Sequence, residues 1–431
     1  MRPRLDWIVL LLTLGAVPAC LPAESADSGD DPGEDGGDSD DGDSGDGDDG
    51  NDGDDEPRFH LVDLVDTDDG VQRLGVDTVN GIRCADATHC AIATRNFGDG
   101  GALFVTADGT ALEPVMTTRE RLGGAQFLGI DDTGQGWIAR IDRAGPFVIA
   151  AGDPSAAASW SLVAVGASDS GSDFTELNSQ ELVRAGSGGD WLYVYSGIAW
   201  HAATAPGETT AWSGQWSPGR LPPFPADYDA RKEADATLCD SDPAVAIEPD
   251  MTHLGFASAD LGAILFPAGG RNQPGTDPPG VCVSHDRGVT FHQVAFPDLR
   301  AGEIGPLAVA CLDADRCWAF GGVDFDGGPA YVYRSSDASA AAPTWQRGAV
   351  PSQADSDQPR AISFAPDALH GWLVGDDGLI WRTDDGGATW ADAAGELAAV
   401  AGMVDWTSVF AVAPDRVWLG GADGVLVTGR P

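Results

Sequence analysis

One short segment gathers side chains that could grip a ligand. In DYDARKE, Tyr228 and Arg231 stand beside Asp227 and Asp229. A phenol, a guanidinium and two carboxylates offer donors and acceptors for a polar group. Upstream, Trp212, Trp216 and Phe224 lie among prolines and glycines. Exposed aromatics in such loops suit carbohydrate or peptide binding. Loop solvation, and packing of the rings onto neighbouring strands, explain the same residues equally well. No carboxylate pair can be nominated for acid–base chemistry, because the chain carries 68 acids and any separation arises by chance. The seven histidines form no H-E-x-x-H pattern. There is no G-x-S-x-G elbow and no phosphate-binding loop. Neither a metal nor a cofactor is expected.

The elements that would carry such loops are legible near the C-terminus. The segment GWLVGDDGLIWRTDDGGATW holds Thr383, Asp385, Gly387, Thr389 and Trp390 in the pattern S/T-x-D-x-G-x-T-W. Ser284, Asp286, Gly288, Thr290 and Phe291 repeat it in SHDRGVTF. The chemistry is that of a tight reversal: glycine takes positive φ, the Asp carboxylate accepts hydrogen bonds from the turn, and the aromatic packs between sheets. Weaker fragments stand at Ser335-Ser336-Asp337 before Thr344-Trp345, at Thr106 to Gly109, and at Asp153 before Trp160.

An apolar strand ahead of these turns recurs seven times, at 88–94, 134–140, 189–195, 252–258, 315–321, 369–375 and 415–421. The spacing suits four-stranded blades with loop insertions. A first strand precedes each, joined by turns such as Ala413-Pro414-Asp415 and Ala365-Pro366-Asp367. His89, His253 and His370 recur near these turns, which reads as structure rather than catalysis. The last repeat lacks a fourth strand, and residues 59–65 are a spare one that can close the ring and remove its open edges.

The boxes resemble the aspartate box, or bacterial neuraminidase repeat, of sialidase-type β-propellers. Over about 370 residues the repeat style is similar to the photosystem II assembly/stability factor family and to sortilin-type propellers. The resemblance implies an all-β, seven-bladed β-propeller of four-stranded antiparallel blades. It implies no particular activity, since the fold hosts enzymes and binders alike. Sialidases carry an F/Y-R-I-P arginine motif near the start of the domain, where this chain has Pro57-Arg58-Phe59. Tyr193, Tyr195, Tyr331 and Tyr333 alternate within strands as packing residues do.

Residues 1–19 form a signal peptide: Arg2 and Arg4 precede an apolar run too short to span a bilayer stably. Val17-Pro18-Ala19-Cys20 resembles the lipobox of bacterial lipoproteins, which makes Cys20 the lipidated residue; a plain cleavage site is the other reading. Leu21, rather than Asp, follows the cysteine and directs the protein to the outer membrane of a Gram-negative envelope. Residues 20–57 are an acidic Asp/Gly/Ser tether expected to be disordered, with 17 acids and no base between 24 and 56. The formal net charge of −44 argues against nucleic acid and against direct docking on anionic lipid, so contact with the membrane is through the anchor alone. Cys84 and Cys90, and Cys311 and Cys317, flank equivalent turns as C-x₅-C and should bridge their own hairpins; Cys239 and Cys282 pair by elimination. Residues 58–431 are the propeller. The sequence reads as a cell-envelope binding or scaffolding protein with a protein or glycan partner. A glycoside hydrolase with carboxylates at the propeller centre is the alternative.

Overall fold

A computed structural model describes residues 59–62, 65–66, 72–73, 78–95, 102–109, 111–116, 125–130, 134–142, 145–162, 180–185, 190–195, 198–202, 264–268, 280–285, 292–298, 306–313, 315–321, 330–351, 358–422 and 426–429. Strands β1 (Phe59–Leu61), β2 (Val65–Asp66) and β3 (Gln72–Arg73) come first. Repeat one is β4 (Thr78–Cys84), β5 (Cys90–Arg95), β6 (Leu103–Thr106) and β7 (Glu113–Met116). Repeat two is β8 (Ala125–Ile130), β9 (Gly136–Asp142), β10 (Gly145–Gly152) and β11 (Ser161–Leu162). Repeat three contributes β12 (Gln180–Ala185), β13 (Asp190–Tyr195) and β14 (Ile198–Ala202). Repeat four contributes β15 (Ile264–Ala268), β16 (Gly280–Ser284) and β17 (His292–Ala295). Repeat five is β18 (Pro306–Cys311), β19 (Cys317–Gly321), β20 (Tyr331–Ser335) and β21 (Gln346–Arg347). Repeat six is β22 (Pro359–Phe364), β23 (Gly371–Gly375), β24 (Ile380–Thr383) and β25 (Ala391–Asp392). Helix α1 (Ala394–Ala401) then leads to β26 (Trp406–Ala413), β27 (Arg416–Gly421) and β28 (Leu426–Gly429).

Each repeat folds into its own antiparallel sheet in chain order, and five of these sheets have four strands. The last is completed from the other end of the sequence. β1 pairs antiparallel with β28, matching Phe59 with Gly429, His60 with Thr428 and Leu61 with Val427. The spare strand is shorter than residues 59–65, because Val65 pairs instead with Arg73 in the β2–β3 hairpin.

The sheets stand face to face rather than side by side. First strands β12, β8, β4, β26, β22 and β18 are successive neighbours; β5 and β23 each pack on the first strand of the following repeat, and β27 packs on β4 of repeat one. A sheet covered on both faces should be apolar on both, not alternating. β6, β19, β23 and β28 are accordingly buried along their whole length. Each apolar cluster joins two repeats, consecutive ones in four cases and the last with the first in the fifth. One holds Trp318, Phe320, Phe364, Trp381 and Trp390 between repeats five and six. Another holds Trp372, Trp406, Leu419, Val427 and Phe59 between six and seven.

Repeat four corrects one assignment. Its second strand is β15, not residues 252–258, which lie outside the described residues. β15 hydrogen-bonds to β16, the strand that runs into the box, and packs on β18 as second strands do elsewhere. Both segments are apolar, so composition does not separate them. Helix α1 was not expected either. Its sequence AGELAAVA is rich in the strongest helix former, buries Leu397, and stops at Gly402 with φ 76°.

Candidate functional site

Three of the third strands deliver a buried hydroxyl residue to the turn: Thr106, Ser335 and Thr383 are 0%, 5% and 2% exposed. In repeat six, Thr383 Oγ1 donates to Asp385 Oδ1 (2.9 Å) and accepts from the backbone of Gly387 (3.0 Å). Thr389 donates its N–H to Asp385 Oδ1 (2.8 Å) and its hydroxyl to Oδ2 (2.7 Å). Gly386 and Gly387 take φ of 71° and 84°, which a side chain would resist. Burial opposes ionisation of Asp385, but these hydrogen bonds outweigh it and hold the carboxyl below its ordinary range.

Repeat five builds the same network across a longer turn. Ser335 donates to Asp337 Oδ1 (2.9 Å), and Thr344 donates its N–H and its hydroxyl to the two carboxylate oxygens (both 2.8 Å). The sequence shows only a broken pattern there, because the partner threonine lies further along. In repeat one, Thr106 and Asp108 keep part of the network, with Ala111 N donating to Asp108 Oδ1 (2.8 Å). Of the second box, Ser284 ends β16; Asp286, Gly288, Thr290 and Phe291 lie outside the described residues.

The turns between first and second strands repeat a second device. Asp86 Oδ1 accepts from the backbone of Thr88 and His89, while Oδ2 meets His89 Nδ1 at 2.6 Å. Asp367 does the same with Leu369 and His370, again 2.6 Å from Nδ1. In repeat five arginine replaces histidine: Arg316 Nε donates to Asp313 Oδ2 at 2.5 Å. Burial pulls against the ionised form in each, yet the hydrogen bonds leave Asp86, Asp313 and Asp367 below the ordinary carboxylate range. His89 and His370 therefore close turns. These turns abut the boxes, with Gly386 N donating to Leu369 O (2.9 Å), so both devices share one end of the sheets. The end is tied across repeats by Trp318 Nε1 to Gly386 O (3.0 Å), Arg334 to Asp385 O (3.1 Å) and Arg416 to Ala87 O (3.1 Å).

Disulfides clamp two of the turns, Cys84–Cys90 and Cys311–Cys317. Cys239 lies outside the described residues, and so does the proposed bridge to Cys282. Tyr228, Arg231, Trp212, Trp216 and Cys20 also lie outside them.

The opposite end carries polar groups that sequence reasoning missed. Arg360, at the start of β22, makes a two-pronged ion pair with Asp376 in the turn after β23, at 2.9 and 2.7 Å. The neighbouring Asp377 N–H donates to Asp405 Oδ1 (2.9 Å). Nothing in the local sequence marks these residues, because they meet only through strand pairing. Among the described residues no three His, Cys, Asp or Glu side chains gather as metal ligands, and no helix is long and apolar enough to cross a membrane.

No family model matches the sequence, and no curated protein matches it either. Solved structures do match in shape. YCF48 from Cyanidioschyzon merolae is similar at 13% identity and a TM-score of 0.54, over 87% of this chain and 99% of that one. PorZ of Porphyromonas gingivalis, described as an essential surface component of the type-IX secretion system, is similar at 14% identity and a TM-score of 0.50. That match spans 84% of this chain and 47% of PorZ. Both are β-propellers, and the likeness identifies the fold and nothing further.

Proposed function

We propose that this is a secreted envelope protein whose propeller binds or scaffolds a protein or glycan partner without catalysis. In this reading residues 1–19 are removed, Cys20 carries the lipid, and residues 20–57 hold the body away from an outer membrane. Residues 58–431 form a seven-bladed ring closed by β1, and Cys239 bridges to Cys282. The aromatic segment with Trp212, Trp216, Tyr228 and Arg231 contributes a contact surface.

The observation that carries the reading is the fate of the recurring carboxylates. Asp86, Asp313, Asp337, Asp367 and Asp385 each spend both oxygens on their own turns. Hydrogen bonds also keep them ionised, which is the wrong state for a general acid. The likeness to a propeller that serves as a surface component of a secretion machine supports a binding role.

One observation favours the glycoside hydrolase alternative: Arg360, Asp376 and Asp405 stand at one end of the inner strands. Against it, Arg360 neutralises Asp376 directly. Incubation of the protein with a broad glycan panel, with released products followed by chromatography, tests the two. Retention without product is expected. Product release would overturn the non-catalytic reading.

A further inference from the structure

Helix α1 lies where repeats six and seven meet. It packs on β1 and puts Leu397 into the apolar cluster between the two repeats. Of its eight residues only Leu397 is buried. Its sequence AGELAAVA has a single charged residue, and a helix apolar nearly all round is ordinarily covered. Here Gly395, Ala398 and Ala399 face solvent. The apolar surface extends past the helix. Among the described residues three large hydrophobic side chains are exposed, and two of them flank α1. Met403 follows the Gly402 stop, is 79% exposed, and lies against Gly378, where a Cβ would stand 3.8 Å from its Cγ. Leu61, in the strand that α1 packs on, is 52% exposed. Exposed acids surround these groups: Asp377, Asp392, Glu396 and Asp405. Asp377 N–H donates to Asp405 Oδ1 and Ala394 N–H to Asp392 Oδ1, both at 2.9 Å, so backbone contacts fix two of the carboxylates. Among the described residues none of the four acids meets a base, and Arg360 is taken up by Asp376.

We propose that this face docks a basic, amphipathic segment of another protein, with its apolar side on Met403, Leu61 and the alanines and its lysines or arginines over the carboxylates. The inference rests on the binding reading above and gives it a partner class and a place. An exposed apolar patch with a polar rim marks a protein contact. The unbranched methionine side chain adapts to the group it meets, and Ala398 and Ala399 let a partner come close. A sugar would call for an aromatic platform, and no Trp, Tyr or Phe is exposed among the described residues. Charge decides between the remaining occupants. Residues 24–56 carry 17 acids and no base, and a second copy of the chain brings the same net charge of −44, so both are repelled. Anionic lipid and nucleic acid are repelled for the same reason. A basic segment is attracted, and the acids fix its orientation on the apolar face.

The test presents the protein to three immobilised sets: helical peptides of lysine, leucine and alanine, the same peptides with glutamate for lysine, and neutral oligosaccharides. Retention by the lysine peptides alone is expected, and the best of them is then titrated. Met403→Ala should weaken that binding about tenfold through lost apolar burial. Ala399→Arg, which sets bulk and a like charge on the exposed helix face, should weaken it at least as much. Asp377→Asn should lower it about two- to fivefold at low salt, the range of one exposed charge pair. Asp415→Asn removes the same charge at the other end of the sheets and should leave binding unchanged, which separates this face from the general acidity of the chain. Thermal midpoints measured alongside separate lost binding from lost folding. Lysine-peptide binding indifferent to both Met403→Ala and Ala399→Arg, equal retention by the glutamate peptides, or retention by no peptide would overturn the proposal. Retention by oligosaccharides in place of peptides would overturn it and leave the wider binding reading standing. Release of sugar products would overturn that wider, non-catalytic reading whatever the peptides do.

Discussion

Replacing Asp385 by alanine removes three hydrogen bonds at once: those from the Thr383 hydroxyl, the Thr389 N–H and the Thr389 hydroxyl, at 2.9, 2.8 and 2.7 Å. Asp385 and Thr389 face solvent, so water replaces much of their part. Thr383 is different. The residue is 2% exposed, and its hydroxyl loses its acceptor away from bulk water, a loss of about 1–3 kcal/mol. Adding a discounted contribution from the two exposed bonds gives about 2–4 kcal/mol in all. Asp385→Asn keeps an oxygen for Thr383 and should lose only about 1 kcal/mol. Urea unfolding followed by tryptophan fluorescence reads both, since Trp381 and Trp390 adjoin the box. If Asp385→Ala stays within about 0.5 kcal/mol of the parent, as an ordinary surface change would, the box is not the fastening described here.

Three further outcomes follow from the same contacts. Phe59→Ala should destabilise by about 3–5 kcal/mol, because the ring is 2% exposed and meets Trp372 edge to face at 6.0 Å; an unchanged unfolding midpoint would mean β1 does not hold the last sheet. Gly387→Ala should lower the thermal midpoint, since its φ is 84° and a Cβ would lie 3.0 Å from Trp318 Nε1; the loss should be about 1–2 kcal/mol, and a neutral result would refute the strain. Acid should weaken the protein. Asp86, Asp153, Asp313, Asp337, Asp367 and Asp385 all have folded pKa values lowered from the model-peptide 3.8, so their stabilisation is full above that value and fades as pH falls through the lower folded values. Urea midpoints that stay level from neutral pH to below 3.8 would contradict this.

What could be seen in the chain beforehand was whatever a single strand or turn records locally. Thr383-x-Asp385 is legible because the hydroxyl and carboxylate that bond are two residues apart. Second strands such as GWLVG are legible because a sheet buried on both faces leaves an unbroken apolar run. The box at Asp337 looked degraded, because its closing threonine is seven residues on, at Thr344, and spacing rather than chemistry had changed. The Arg360–Asp376 pair was invisible for a deeper reason: it forms only where two strands lie in register, and neither strand alone encodes it. Repeat four went astray because two apolar segments compete for one place in the sheet, and only pairing with β16 decides between them.

The last sheet has a consequence in time. β1 precedes every other described strand, yet its partner β28 follows all of them. Until β28 arrives, β1 has no strand to pair with, and β27 has no outer neighbour. Contacts of such long range are slow to form, and a waiting strand edge is open to foreign pairing. The middle repeats, whose strands are all near neighbours in sequence, can stack as they emerge. The body should therefore mature from its middle outward, with the pairing of β1 and β28 as the final and rate-limiting event.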